Sequence, residues 1–139
     1  MTYYLIDAAV LLNDEQFSFL PGKRYVTTSL VAMEIKDFRS RALLDNALKN
    51  NFLRIIDPSA EALQKITDLA ANIGFRLSKA DFSLLALALD FKSKKKRVKV
   101  VTDDFSVQNL LLALRISFDS VIQGRIKEFR VFRKKKLGF

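Results

Sequence analysis

Short apolar runs alternate with helical stretches along this chain, and that alternation constrains its fold more than any other feature. Residues 3–6 (YYLI), 24–27, 52–56 (FLRII), 98–102 (VKVVT) and 117–122 read as strands. Between them lie helical segments with recognisable starts and stops. A short helix follows Asp7. Thr28 or Ser29 caps a helix through about Asp37, and another covers residues 40–50. Ser59 opens a helix to Asn72, with Gly74 just beyond its end, and Ser78-Lys79-Ala80-Asp81 is a capping-box start for a helix to about Lys92. The last helix runs over residues 105–114. Residues 13–23 are a loop with Pro21-Gly22 as its turn. Strands alternating with helices predict an α/β domain around a mainly parallel sheet, and 139 residues make one domain of it.

Chemistry is restricted by two zeros. The chain contains neither Cys nor His. That excludes disulfides, Cys or His zinc sites, Ser-His-Asp triads, Cys nucleophiles and paired-histidine cleavage of RNA. What remains is carboxylates, hydroxyls, lysines and metals held by oxygen. The first residues lack a basic leader pattern, and the longest apolar run, 84–89, is far short of the roughly 20 residues of a membrane span. A soluble, cytoplasmic protein is the expectation.

The net charge of +9 is segregated. Residues 92–99 (KSKKKRVK) and 125–139 (RIKEFRVFRKKKLGF) together carry +12, which leaves −3 on the rest. One lysine run alone is usually solvated surface. Two runs on an otherwise acidic chain predict a phosphate-contacting surface, with Lys94, Lys95, Lys96, Arg97, Arg130, Arg133, Lys134, Lys135 and Lys136 as its candidates. Nucleic acid is the leading partner and an anionic membrane surface the second.

In open parallel sheets, ligands sit beyond the carboxyl ends of the strands. Asp7 ends the first strand, and Asp103 and Asp104 follow the strand at 98–102. Glu34 has Leu30 and Val31 one turn before it, and Asp81 shares a helical face with Leu84, Leu85 and Ala88. Each acid has a bland role available: Asp7 and Asp104 as helix caps, Asp81 as the partner of Ser78, Glu34 at the rim. Gathered at one sheet edge, they would bind one or two Mg²⁺ or Mn²⁺ ions through oxygen. Such a metal activates water where no histidine can.

Three stretches carry a family resemblance: residues 27–37 (TTSLVAMEIKD), 77–88 (LSKADFSLLALA) and 101–109 (VTDDFSVQN). They resemble the PIN domain, a metal-dependent ribonuclease fold, and within it the Nob-type endonucleases that mature the 3′ end of small-subunit ribosomal RNA. The third stretch is the most specific, through its Asp-aromatic-x-x-Gln-Asn string. The resemblance spans residues 1–132 and leaves 133–139 as a basic tail. It implies a three-layer α/β/α fold with four or five strands and a site in which Asp7, Glu34, Asp81 and Asp104 ligate Mg²⁺ or Mn²⁺. Asp103 is then an auxiliary ligand, and Thr102 and Asn109 orient water or carboxylates.

Hydrolysis of single-stranded RNA to 5′-phosphate and 3′-hydroxyl ends is the implied activity, in a precursor ribosomal particle. The alternatives are a toxin-type PIN ribonuclease held by an antitoxin and an RNA-binding module that does not cut. A homodimer is compatible with each. Nob proteins continue into a Cys₄ zinc ribbon where this chain has its tail. With no cysteine here, no zinc is expected.

Overall fold

The computed structural model describes residues 1–12, 18–74 and 76–121. Strands β1 (Thr2–Ile6), β2 (Arg24–Thr27), β3 (Leu53–Ile55), β4 (Arg97–Val101) and β5 (Ser117–Asp119) form one sheet in the order β3-β2-β1-β4-β5. Every pairing is parallel. Helices α1 (Ala8–Leu12), α2 (Ser29–Met33), α3 (Phe38–Lys49), α4 (Ala60–Ile73), α5 (Lys79–Ser93) and α6 (Phe105–Leu114) complete the α/β domain that the alternating pattern predicts, in the three-layer α/β/α arrangement that the family resemblance implies.

The chain begins in the middle of the sheet. It winds outward through β2 and β3, then crosses back to lay β4 on the other side of β1 and ends at β5. The strand order therefore reverses between β1 and β4. That reversal opens a crevice at their carboxyl ends, where doubly wound sheets bind ligands.

Burial explains which segments became the centre. Leu5, Ile6, Val26, Val100 and Val101 of the three central strands are all buried, as the apolar character of parallel strands requires. Across one face lies α5, whose residues Leu84, Leu85, Ala86, Leu87 and Ala88 are buried on every side. Its apolar surface wraps the whole helix because it packs against α2, α4, α6, β1 and β4 at once.

The helix ends follow local chemistry. Ser59 accepts from the Ala62 amide at 3.1 Å, and α4 stops at Gly74, which takes the left-handed conformation (φ 79°). Ser78 and Asp81 close the expected capping box on α5.

Several element boundaries differ from the sequence reading, most of all around Asp37. The helix expected through Asp37 stops at Met33, and the next begins at Phe38 rather than Ser40. The cause is Asp37 itself, whose carboxylate accepts from the Ser40 amide at 3.0 Å and starts a new helix. The last strand ends at Asp119, and Ile122, the expected end, lies outside the described residues, as does the tail at 133–139.

Core and surface positions should respond differently to truncation. Leu84→Ala removes a fully buried side chain and is expected to cost about 2–5 kcal/mol. Phe38 is 91% exposed, so Phe38→Ala should stay within about 0.5 kcal/mol. Urea denaturation of both variants checks the pair, and equal losses would contradict this packing.

Candidate metal centre and nuclease site

Asp7 is the first residue beyond β1 and is buried at 6% exposure. Its Oδ1 accepts from the Val10 amide at 3.0 Å, which caps α1. Its Oδ2 accepts from the hydroxyl of Thr102, the first residue beyond β4. The same Thr102 Oγ1 also accepts the Asp104 amide at 3.1 Å. One hydroxyl thus ties the exits of the two central strands together, at the crevice where the strand order reverses.

Thr102 is held from every side. Its amide donates to the Asp119 carbonyl at 2.9 Å, and its carbonyl accepts from Gln108 Nε2 at 2.9 Å. Gln108 is buried one turn into α6, and sequence reasoning passed over it in favour of its neighbour Asn109. Its spacing from Asp104 and the buried Val107 and Leu111 beside it were the available signal. Asn109 is half-buried on the same helix.

Three other acids surround this link. Asp104 caps α6, its Oδ1 accepting from the Val107 amide at 3.1 Å. Asp103 Oδ1 accepts from the Val121 amide at 3.1 Å. Asp81 lies in the first turn of α5, its Oδ2 accepting from the Ser78 amide at 3.1 Å. Buried hydroxyls stiffen the neighbouring exits: Thr27 Oγ1 donates to the Ile6 carbonyl at 2.8 Å, and the Thr28 and Ser83 hydroxyls meet at 2.6 Å. These small polar residues among apolar ones were also missed from sequence.

Electrostatics couples the acids. Burial, above all, raises the Asp7 carboxyl to a pKa of about 6 against the Thr102 and Val10 hydrogen bonds, and the charges of Asp81 and Asp103 push it the same way. Asp81 is also raised, first by burial and last by the charge of Asp104, while its bonds to Ser78 oppose the shift. Like-charge repulsion is thus present but secondary to desolvation.

The charges of Asp81 and Asp103 thus act on Asp7, and that of Asp104 on Asp81. Glu34 is exposed at the C-cap of α2. Among the described residues no three carboxylates are close enough to ligate one ion as they stand. Asp7, Asp81 and Asp104 are each turned onto an amide at a helix start, which leaves Asp81 Oδ1 and Asp104 Oδ2 without a hydrogen bond among the described residues.

The donor set is all hard oxygen on the exits of β1 and β4 and the start of α5, which fits Mg²⁺ or Mn²⁺ and not a thiolate- or imidazole-seeking ion. Lys94, Lys95, Lys96 and Arg97 are placed elsewhere. They are exposed at the amino end of β4, the opposite end of the sheet from the acids. Arg130, Arg133, Lys134, Lys135 and Lys136 lie outside the described residues.

Fold and site define a class of enzyme, and comparison with known proteins places the chain in it. A family profile described as the PIN domain of ribonuclease matches residues 5–91. Endoribonuclease Nob1 of Methanothermobacter thermautotrophicus is 33% identical over 133 residues, covering 94% of this chain and 75% of the relative. Nob1 of Pyrococcus abyssi is 35% identical over 100 residues, covering 70% of this chain and 59% of that one. Ribonuclease VapC3 of Aeropyrum pernix is 40% identical over 97 residues, 68% and 69% of the two chains.

Among solved structures, VapBC2 from Rickettsia felis, bound to a DNA fragment from their promoter, superposes with a TM-score of 0.57 at 14% identity. The match covers 85% of this chain and 98% of that one, and shows likeness of fold. The chain belongs to the PIN-domain family of ribonucleases.

The buried Asp7 has a measurable consequence. Its raised pKa means that its contribution to stability is fully present below about pH 4 and is lost as pH rises through about 6. At pH 7 and without divalent metal, the ionised carboxylate is a net cost of roughly 3 kcal/mol before the loss of a hydrogen bond is considered. Asp7→Asn keeps only one acceptor oxygen, so a gain of about 1–2 kcal/mol at pH 7 is expected, shrinking towards pH 4. Denaturation in EDTA at the two pH values measures it. Millimolar Mn²⁺ should stabilise wild type more than the variant.

Proposed function

We propose that this chain is a Mg²⁺- or Mn²⁺-dependent endoribonuclease that hydrolyses single-stranded RNA to 5′-phosphate and 3′-hydroxyl ends. Its biological substrate is the 3′ end of small-subunit ribosomal RNA within a precursor particle. The observation that supports this reading is the Thr102 link, which bonds the Asp7 carboxylate and the Asp104 amide at the switch point, where the charge of Asp81 also acts on Asp7. Similarity to the Nob1 endoribonucleases over most of the chain supports the ribosomal role.

Asp7, Asp81 and Asp104 would hold the ion, with Asp103 as auxiliary ligand and Glu34 joining by rotation of its exposed side chain. A divalent ion there polarises water and offsets the charge of the phosphate. The chain's own groups do the rest. Thr102 keeps Asp7 oriented, and Gln108 keeps Thr102 oriented, so neither carboxylate has to be organised at the moment of reaction. Asn109, on the next position of α6, orients water. Burial of Asp7 keeps its proton up to about pH 6, and a bound cation would displace it at lower pH.

A second reading is the toxin-type ribonuclease, restrained by a partner chain. It draws on an open apolar groove of about 690 Å³ along α3, lined by Phe38, Ala42 and Leu43, and on the similarity to VapC3. The two readings differ in substrate. The ribosomal enzyme cuts at one site near the 3′ end of the small-subunit precursor, whereas a toxin cuts RNA unrelated to that end.

Asp104→Asn separates cutting from folding. Asn is as good a helix cap as Asp, so α6 should persist and the melting temperature should change little. Cleavage of single-stranded RNA in Mn²⁺ should fall by about 100-fold or more, while affinity stays equal or rises slightly because a repelling charge is gone. A gel assay beside a binding titration decides it, and undiminished cutting by the variant would remove the carboxylate mechanism.

A further inference from the structure

The two ends of the sheet carry opposite charge. At the carboxyl end the strand exits hold Asp7, Asp57, Asp103, Asp104 and Asp119. At the amino end, the described segments that enter β2 to β5 (residues 18–24, 50–52, 92–97 and 114–116) hold eight Lys and Arg and no Asp or Glu. None of the three ion pairs among the described residues involves these cations.

Aromatic rings fix them in place. Lys23 Nζ lies 4.8 Å from the Tyr4 ring, and Lys96 Nζ lies 5.4 Å from the Tyr3 ring and 5.8 Å from Phe91. Arg24 donates to the Tyr3 hydroxyl at 2.9 Å with its guanidinium 5.6 Å from the same ring. That hydrogen bond, the nearby Lys96 and the farther Arg54 all hold the Tyr3 phenol below its ordinary pKa, a sign of uncompensated positive field.

We propose that this amino-end surface is a second nucleic-acid contact, which grips the phosphate backbone of an RNA segment remote from the bond being cut. The inference rests on the endoribonuclease reading for the identity of the polymer. The basic surface runs from β2 to β5, three spacings of roughly 4.8 Å, or about 14 Å, which is room for two or three phosphates. Cations interleaved with rings suit a polymer that offers both phosphates and bases.

It lies a full strand length from the acids, roughly 17 Å at 3.3 Å per residue, with the helical layers to go round. A strand lying in the crevice does not touch it. The polarity also orients the substrate: a polyanion is drawn to the basic end and repelled from the acidic end, where only the metal makes contact favourable. Long RNA is therefore anchored at one end of the molecule and cut at the other.

The test removes four exposed charges, of which Lys23 alone touches a ring: Lys23→Gln, Lys94→Gln, Lys95→Asn and Arg97→Gln. Asn is chosen at Lys95 because φ there is 59°, a conformation Asn tolerates. Binding of single-stranded RNAs of about 5 and about 30 nucleotides is titrated at several salt concentrations, with both chains also carrying Asp104→Asn. Cleavage of the shorter RNA is measured with Asp104 restored.

For the longer RNA, the slope of log K against log salt should fall by roughly 2–3, and affinity near 0.1 M salt by about tenfold or more. The shorter RNA, which cannot reach from one end of the molecule to the other, should be cut as before. An unchanged slope for the longer RNA, or a loss in cutting of the shorter one, overturns the proposal. A wild-type chain that cuts neither RNA in Mn²⁺ would instead count against the endoribonuclease reading, and the slope comparison would still stand.

Discussion

The carboxyl edge of β1 and β4 depends on the hydroxyl of Thr102. It lies where β1 and β4 part company, and it bonds at once to a side chain after one strand and a backbone amide after the other. Parallel strands pair evenly along their length, but beyond the last pair nothing in the sheet holds the exits in register. Here a buried side chain takes over that task. The link is effective because Thr102 has no freedom left: its amide and carbonyl are bonded to Asp119 and Gln108. A β-branched side chain on a doubly anchored backbone presents its oxygen in one place.

The fold was largely legible because its logic is local and periodic. Parallel strands buried on both faces read as apolar runs, and the caps at Ser59, Ser78 and Asp104 are short-range signals. The failures share a cause. Asp37 can end one helix or begin another, and only the turn that buries Ile35 and Ser40 decides which. The same holds at the site. Asp7, Asp81 and Asp104 could be singled out from their places at strand ends and helix starts. Gln108, Thr28 and Ser83 matter through contacts that sequence spacing does not encode, the hydroxyl pair being 55 residues apart.

The basic segments show the limit of reading charge along a chain. Composition pointed to a cationic rim around an acidic centre, yet in a parallel α/β domain every strand begins at one end and finishes at the other. A run preceding β4 and acids following it cannot share an edge. Topology converts separation of five residues in sequence into the whole thickness of the sheet. It also makes the charge segregation systematic, since most entry segments add to one pole and most exit segments to the other.

Structural and chemical roles of the acids are not rivals. A carboxylate has two oxygens, and a helix N-terminus needs only one of them to satisfy an amide. Asp104 and Asp81 each give one oxygen to a cap and keep the other. Asp7 gives both away, and it is the most deeply buried of the set. Capping thus places negative charge at three helix starts that all face the same crevice, where the helix dipoles favour it. The cost of gathering like charges is spread over hydrogen bonds that the helices require in any case. Helix caps and the Thr102 link together set the positions of these carboxylates before any ligand arrives.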